Sequence, residues 1–250
     1  MVLDAFDLFK HNLHLSPVTS EALEKLGERC RLDDRTNVLD AACGKGGTLL
    51  TLAKRFGCTV TGMESRPEFA EEARRRALFE DLAHLVNVLD GDPGSLPFDD
   101  GFFDTALLLA PPRPFDSEEA LPELSRVVRP GGWLVLSELV WRPGASAKAS
   151  DAVREWLGRS APAEILEMEG RRARFQAAGF PVESAEMSGK TAWEGYLAPQ
   201  AHAILENRKE HRESAEALAT LDAWQEELEI YHRHGGREAL DYALFLLRRP

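Results

Sequence analysis

The strongest constraint on the fold is a regular alternation of short apolar runs and longer amphipathic stretches between residues 37 and 141. Short apolar runs are typical of buried strands, and apolar residues at helical spacing are typical of helices. Five strands are predicted, over NVLDAA, CTVTGME, HLVNVLDGD, FDTALLLA and WLVLSELVW. The helices predicted between them are TLLTLAKRF, RPEFAEEARRRALFED and EEALPELSRVV. Such a succession predicts a doubly wound α/β fold with a parallel sheet covered on both faces.

The pattern changes after Trp141. Residues 151–178 predict two helices, and PVESAEMS predicts a sixth strand. From Trp193 to about His234 the chain is charged and helical in period, and it is too long for an ordinary crossover, so we expect an inserted helical cap. The last apolar run, LDYALFLLRR, predicts a strand that returns beside the sixth and runs antiparallel to its neighbours.

These patterns divide the chain into five parts: an N-terminal helical segment, a Rossmann-like core, the helices and sixth strand that complete it, the cap and the final strand. Their predicted bounds are residues 1–34, 35–140, 141–190, 191–236 and 237–250. We expect Arg129–Gly132, which contains a Pro-Gly-Gly run, to separate the third helix from the fifth strand.

The overall charge limits the partners of the protein. The chain has 30 Lys and Arg against 42 Asp and Glu, a net charge of −12, which repels phosphate backbones and anionic headgroups. We therefore expect no nucleic-acid or membrane partner. The start of the chain lacks the unbroken apolar core of a signal peptide, and no run approaches membrane-spanning length, so we expect a cytoplasmic protein.

The cysteines and histidines indicate no metal site. Cys30, Cys43 and Cys58 form no Cys-x-x-Cys pair, which fits a reducing compartment. His232 and His234 lie at the predicted end of the cap, where imidazolium favours the negative end of a helix.

The stretch VLDAACGKGG places a glycine-rich turn directly after the first predicted strand. A dinucleotide-binding turn needs a small residue at its third position, which is Leu49 here. Asp40 would repel a pyrophosphate but accepts hydrogen bonds from an ammonium group. The ligand is therefore expected to be cationic at this end, as S-adenosylmethionine is, and a nicotinamide-dependent dehydrogenase is disfavoured.

Two further acids end the next two strands. Glu64 is placed to accept both hydroxyls of a ribose, and Asp92 is placed to accept from an adenine amino group. Each acid has an alternative: Asp40 as a helix cap, Glu64 as a surface acid and Asp92 as a turn residue. The three together, at successive strand ends, favour a nucleoside site.

The stretches VLDAACGKGG, GMES, DGDPGSLPFDDGFFD and LSRVVRPGGWLVLSEL resemble class I S-adenosylmethionine-dependent methyltransferases, in the order that this family shows them. The resemblance implies a seven-stranded sheet whose last strand is antiparallel. The flanks of the core resemble bacterial small-molecule methyltransferases of type 11 (UbiE-like) with a helical cap. The cofactor-binding residues that it implies are Asp40, Ala42, Gly44, Gly46, Glu64, Ser65, Gly91, Asp92, Pro93, Leu109 and Ala110. Ala42 stands where the family usually has its first glycine.

Methyl transfer from a sulfonium depends mainly on alignment, and a general base is needed only when the nucleophile keeps a proton. The candidate catalytic residues are Glu138, His14 and Tyr196, with Glu138 as the first choice for a base. The candidate substrate-pocket residues are Trp141, Trp193 and Glu194, although such aromatic residues are more often packing residues. The turn APPRPF lacks the accepting side chain and the aromatic of nucleobase or protein-amide methyltransferases, which argues against those substrates.

The sequence therefore predicts an enzyme that transfers a methyl group to an O, N or C atom of a small-molecule acceptor by in-line displacement and releases S-adenosylhomocysteine. The alternative is a non-catalytic S-adenosylmethionine-binding or partner-binding module of the same fold. A monomer or homodimer is expected, and the sequence leaves the acceptor and the pathway open.

Overall fold

One seven-stranded sheet organises the chain, in a computed structural model that describes residues 2–110, 117–160 and 164–250. The strands are β1 Asn37–Asp40, β2 Thr59–Glu64, β3 Val86–Asp90, β4 Phe103–Leu109, β5 Val128–Trp141, β6 Val182–Met187 and β7 Leu240–Arg248. Their order across the sheet is β3-β2-β1-β4-β5-β7-β6. The order reverses between β1 and β4, which is where doubly wound folds bind their ligands.

The pairing confirms the predicted doubly wound sheet with an antiparallel last strand. β1 pairs parallel with β2 and β4, and β4 pairs parallel with β5. β7 runs antiparallel to both β5 and β6, as predicted from LDYALFLLRR. The first residues of β7 therefore lie at the same edge of the sheet as the last residues of β5.

Strand β5 begins earlier than predicted. Arg129–Gly132 was expected to be a turn, but β5 already begins at Val128, which pairs with Phe103. The backbone of Gly131 donates to the carbonyl of Arg249 at 3.1 Å, so the end of β7 holds this stretch in the sheet. The Gly131 φ of +70° and a register shift between Phe103 and Thr105 mark an irregular, bulge-like start of the strand.

Helices cover both faces of the sheet. Their bounds are α1 Ala5–Leu8, α2 Ser20–Cys30, α3 Gly47–Phe56, α4 Pro67–Phe79, α5 Ser117–Val127, α6 Asp151–Ser160, α7 Met168–Ala177, α8 Gly189–Glu210, α9 Ala215–Arg233 and α10 Gly236–Ala239. Leucines and alanines of α2, α3 and α4 pack on one face, and those of α5, with Phe175 of α7, pack on the other. Alternate residues of each strand face the two layers.

The helical cap consists of α8 and α9, and it begins at Gly189 rather than at Trp193. It leaves the sheet after β6 and returns at the start of β7. Because β7 is antiparallel, both ends of the cap lie at the carboxyl edge of the parallel strands. A cluster that includes Leu3 and Leu8 packs on Ile204 and Leu221, so the N-terminal arm (residues 2–19) contacts the cap.

No helix among the described residues is long and apolar enough to cross a membrane. Cys30, Cys43 and Cys58 are buried free thiols. The expected cytoplasmic location and the monomeric or dimeric state stay predictions.

Candidate functional site

Asp40, the last residue of β1, lies in the centre of the carboxyl edge with only 1 % of its surface exposed. Its carboxylate accepts from the backbone of Ala42 at 3.3 Å and from the hydroxyl of Thr48. Burial, and next the charge of Glu64, raise the pKa of Asp40 to about 7. A buried acid with this pKa is poised to take up a positive charge from a ligand.

The glycine turn (residues 41–46) joins β1 to α3. Gly44 and Gly46 have φ of +54° and +83°, a region that glycine adopts without strain. The N-cap of α3 is Gly46, with no side-chain hydrogen bond, so Asp40 is not a helix cap. The turn therefore leaves the carboxylate and the start of α3 directed to the same edge.

Glu64 ends β2 beside this turn, and it is not a surface acid because it is only 8 % exposed. One carboxylate oxygen accepts from the backbone of Gly44 at 2.8 Å and the other from the backbone of Arg66 at 2.9 Å. The two hydrogen bonds fix the carboxylate between the first two strand ends. Ser65, the residue after it, is exposed.

The turn after β3 brings its residues to the same edge. The backbone of Gly91 donates to the carbonyl of Glu64 at 3.0 Å. Asp92 is exposed, and its carboxylate accepts a hydrogen bond from the backbone of Gly94 at 2.7 Å. This is the hydrogen bond expected if Asp92 is a turn residue. Pro93 is buried beside it. The adenine contact expected of Asp92 stays a prediction.

Strand β4 completes this edge with Leu109, which is buried, and Ala110, whose φ of +47° is rare for a residue with a side chain. The backbone of Ala110 donates to the carbonyl of Ser137 in β5 at 3.1 Å. Residues 111–116 follow directly, so the remainder of the turn APPRPF, in which we interpret Pro111–Pro112 as a rigid loop, lies outside the described residues.

The N-terminal arm lies across the glycine turn. The side chain of Lys45 is 1 % exposed, and its nitrogen donates to the carbonyls of Phe9 at 2.5 Å and of Lys10 at 3.2 Å. A β-carbon at Gly47 would lie 2.3 Å from the carbonyl oxygen of Leu13, so only glycine fits there. The sequence signal for this contact is weak because a lysine inside a glycine turn usually points to solvent.

Comparison with known proteins agrees with this geometry. A family described as a methyltransferase domain matches residues 38–132, from β1 to the start of β5. The chain is 26 % identical over 242 residues to 27-O-demethylrifamycin SV methyltransferase of Amycolatopsis mediterranei, a match that covers 94 % of this chain and 85 % of that protein. It is 40 % identical over 119 residues to demethylmenaquinone methyltransferase of Thermus thermophilus, covering 47 % of this chain and 50 % of that one.

Solved structures show the same fold over the whole chain. An S-adenosylmethionine-dependent methyltransferase of Thiobacillus denitrificans, in complex with S-adenosylhomocysteine, has a TM-score of 0.83 at 24 % identity and covers 99 % of both chains. Residues 38–132 of this chain therefore match a methyltransferase domain, and the chain has the fold of a solved S-adenosylmethionine-dependent methyltransferase. Which residues of this chain contact a cofactor stays a prediction.

Glu138 is joined to α7 rather than free at the edge. Its carboxylate lies 2.5 Å from Nε of Arg171, and both residues are buried. Arg171 also donates to Glu118 at 2.6 Å. The pairing partner of Glu138 is Ala243, which packs in the layer of α5 and α7. This ion pair gives Glu138 a role in joining β5 to the helices, and its role as a base stays a prediction.

The three expected substrate-pocket residues are not brought together around one opening. Trp193 is 3 % exposed, stacks on Tyr231 and donates its indole N–H to Asp241 at 3.1 Å. Trp141 packs in the cluster of α6, α9 and β7, as a structural aromatic would. Glu194 is exposed and lies 3.5 Å from Lys190 and 3.6 Å from Arg237. In the described contacts these three residues have packing or surface roles.

His14 and Tyr196 do meet, in a cavity of about 160 Å³ between the N-terminal arm and α8. Burial, and next the charge of Arg76, lower the pKa of His14 to about 4, so the imidazole is neutral at pH 7. Its Nε2 lies 2.9 Å from the hydroxyl of Ser20. His14 therefore lies at the glycine turn, and Tyr196 lies at the cap.

The sequence analysis missed Tyr242 and Glu227. Tyr242, the third residue of β7, lies opposite Leu139. Its ring lies 5.3 Å from that of Trp193, whose ring lies 6.4 Å from that of Tyr196. Glu227 projects from α9 toward the two tyrosines, and its charge raises the pKa of each. Burial raises the pKa of Glu227 itself. Its spacing from Ile230 and Tyr231, which are both buried, is the signal that places it on the inner face of the helix.

Proposed function

We propose that this protein transfers a methyl group from S-adenosylmethionine to an O, N or C atom of a small molecule. The acceptor would lie between the carboxyl edge of the sheet, the N-terminal arm and the cap. The observation that carries the proposal is the buried carboxylate of Asp40, which has no cationic side chain among its described contacts. A ligand with a cationic amino acid tail supplies the missing charge.

The residues at the edge fit the parts of the cofactor. Asp40 would accept from its ammonium group, and the backbone of Ala42, Gly44 and Gly46 would meet its amino acid tail. Glu64 and Ser65 would hold the ribose hydroxyls. The adenine would be bordered by Gly91, Asp92, Pro93, Leu109 and Ala110.

A small acceptor is supported by charge and by the relatives. The net charge of −12 opposes nucleic acid, and the printed names of two relatives specify a rifamycin and a demethylmenaquinone. We propose that this chain likewise acts on a small organic molecule, of unassigned identity.

The chemistry requires the chain to hold the acceptor atom in line with the methyl group and to exclude water. S-adenosylmethionine supplies an activated methyl group on its sulfonium. Tyr196 of α8 and Tyr242 of β7 lie close enough to Glu227 for its charge to raise the pKa of each, and Glu227 would accept a hydrogen bond from a hydroxyl or amine of the acceptor. Tyr196, His14 and Glu138 remain the candidate catalytic residues, and Trp141, Trp193 and Glu194 act through packing or at the surface.

Calorimetric titration with S-adenosylhomocysteine tests the cofactor site. Wild type should bind one equivalent, Asp40→Ala should bind at least about tenfold more weakly, and Asp34→Ala, which removes an exposed aspartate, should match wild type. Circular dichroism of Asp40→Ala checks that the fold persists. Absence of binding by a folded wild type would refute the proposed cofactor site.

A screen of small hydroxylated and amino acceptors, with release of S-adenosylhomocysteine as the signal, separates the enzyme from the alternative. A non-catalytic module of this fold would bind the cofactor product and turn over no acceptor. Turnover that is lost in Glu227→Gln while cofactor affinity is kept would support the proposed acceptor end.

A further inference from the structure

A cluster of metal-ligating side chains lies away from the glycine turn, where the N-terminal arm meets α8. It consists of His11 from the arm and of His202 and Glu206 from the helix. One ligand atom from each residue lies within 4.8 Å of the others. His202 and Glu206 are four residues apart, which places both side chains on one face of the helix.

Both imidazoles are directed at the same carboxylate. Nε2 of His11 lies 2.6 Å from one oxygen of Glu206, and Nε2 of His202 lies 3.4 Å from the other. The two rings stack with centroids 4.7 Å apart and an interplanar angle of 16°. Two imidazole nitrogens and a carboxylate oxygen are a donor set that suits zinc and its neighbours in the first transition series.

The spacing of the three ligand atoms is close to the spacing that a metal ion requires. Zinc binds imidazole nitrogens and carboxylate oxygens at about 2.0–2.2 Å, so the ligand atoms must lie within about 4.4 Å of one another. His11 and His202 are exposed and Glu206 is half-buried, so the small closure that remains would come from rotation of the two imidazole side chains.

We propose that His11, His202 and Glu206 form a site for a divalent transition metal ion of the zinc type, with water in the remaining position. The ion would join the N-terminal arm to the cap. No bond in the methyl-transfer chemistry passes through this site, so the proposal does not depend on the proposed function.

Lys10 is the group that opposes the ion. Its nitrogen lies 2.9 Å from Glu206, so it must move away when a cation binds. The side chain is free to do so because the contact of Lys10 with Lys45 uses only its backbone carbonyl. A Lys10→Ala variant should therefore bind the metal more tightly than wild type, whereas an ordinary surface ion pair predicts no such gain.

Direct metal binding tests the proposal on the full chain without a polyhistidine tag. Calorimetry with zinc chloride should show one equivalent bound, and cobalt(II) should give the visible absorption of a protein-bound ion. His11→Ala and His202→Ala should each lower the affinity by about tenfold or more. His84→Ala, which removes an exposed histidine before β3, should match wild type.

Hydrogen exchange supplies a second measurement that does not require enzymatic activity. Zinc should slow exchange in residues 5–12 of wild type and not in His202→Ala, since that variant cannot join the arm to the helix. Absence of zinc binding, or equal binding by wild type and both alanine variants, would overturn the proposal. Binding without added protection of the arm would overturn the proposed link.

Discussion

The side-chain nitrogen of Lys45 lies 2.5 Å from the carbonyl oxygen of Phe9, and this contact joins the glycine turn to the N-terminal arm. The same nitrogen lies 5.2 Å from the centre of the Phe6 ring. Burial, and next the charge of Arg76, lower the pKa of Lys45 to about 8. The N-terminal arm is thus held in position by a residue of the glycine turn.

Replacement of Lys45 by methionine should loosen the arm while keeping most of the buried volume. Two backbone carbonyls lose their donor, at a cost of about 1–3 kcal/mol in the free energy of unfolding. Limited proteolysis should cut Lys45→Met within residues 9–16 sooner than wild type. Lys54→Met, which changes an exposed lysine of α3, is the control. Equal cleavage of all three proteins would show that the contact does not hold the arm.

The affinity for S-adenosylhomocysteine should depend on pH through Asp40. Its pKa of about 7 means that the carboxyl group is increasingly protonated below pH 7, and the neutral form attracts an ammonium group less strongly than the carboxylate does. The dissociation constant should therefore rise by up to about tenfold per pH unit as the pH falls from 7 to 5.5. Titration calorimetry at several pH values measures it, and Asp40→Asn should show a flat profile in this range.

The same carboxylate should reduce stability at neutral and alkaline pH in the absence of ligand. The pKa is raised from 3.8 to about 7, so the folded state binds more protons than the unfolded state between these values. Stability conferred by protonation is lost as the pH rises through 7. Asp40→Asn should be more stable than wild type at pH 8, by up to about 4 kcal/mol, and this difference should shrink toward pH 4. Urea unfolding at pH 8, 6 and 4 provides the comparison.

Replacement of Glu227 by glutamine should also raise the stability of the folded protein at alkaline pH. Burial raises the pKa of Glu227, so its charged form opposes folding above that pKa. The variant should be more stable than wild type at pH 8, with a smaller gain at pH 5, and should bind S-adenosylhomocysteine equally well. Glu216→Gln, at an exposed position of the same helix, should show neither effect. A loss of stability at pH 8 would mean that Glu227 has a structural partner.

Replacement by alanine should change the stability of the protein in opposite directions at two glycines. Gly44→Ala would strain a φ of +54° and bring a β-carbon within 2.6 Å of Leu15, so we expect a loss of about 1–3 kcal/mol and weaker cofactor binding. Gly195→Ala, in α8 with nothing within 4 Å, should gain about 0.5–1 kcal/mol. Thermal unfolding of the two variants tests the pair, and a stabilised Gly44→Ala would contradict the geometry of the turn.

The fold was predictable because each strand and helix carries its own local signal. The parallel, doubly wound sheet followed from alternating strands and helices with right-handed crossovers, and the antiparallel β7 followed from the long cap that precedes it. The predicted start of β5 was wrong because Pro130 and Gly131 are typical of turns, whereas the backbone hydrogen bonds that Gly131 and Gly132 make with Arg249 come from the other end of the chain. A local pattern carries no information about a contact across more than a hundred residues.

The candidate site likewise has a part that could be predicted from the sequence and a part that could not. Asp40, Glu64 and the glycines follow β1 and β2 directly, so position in the chain was enough to bring them together. The proposed acceptor end depends on how α8 and α9 pack. The helical period alone did not separate Trp193, which donates a hydrogen bond to Asp241, from Glu227, whose charge acts on the tyrosines. Lys45 was missed because its partners are backbone carbonyls, which every residue offers.

The two ends of the cap meet. The backbone of Ser188 donates to the carbonyl of Tyr242 at 2.8 Å, and Met187 pairs with Ala243. An exchange of residues 189–239 for another helical hairpin would therefore leave the register of β6 and β7, and every residue of the glycine turn, in place. Recombination within one continuous stretch of a gene would therefore be enough to replace the proposed acceptor side of the molecule, while the glycine turn would be inherited unchanged.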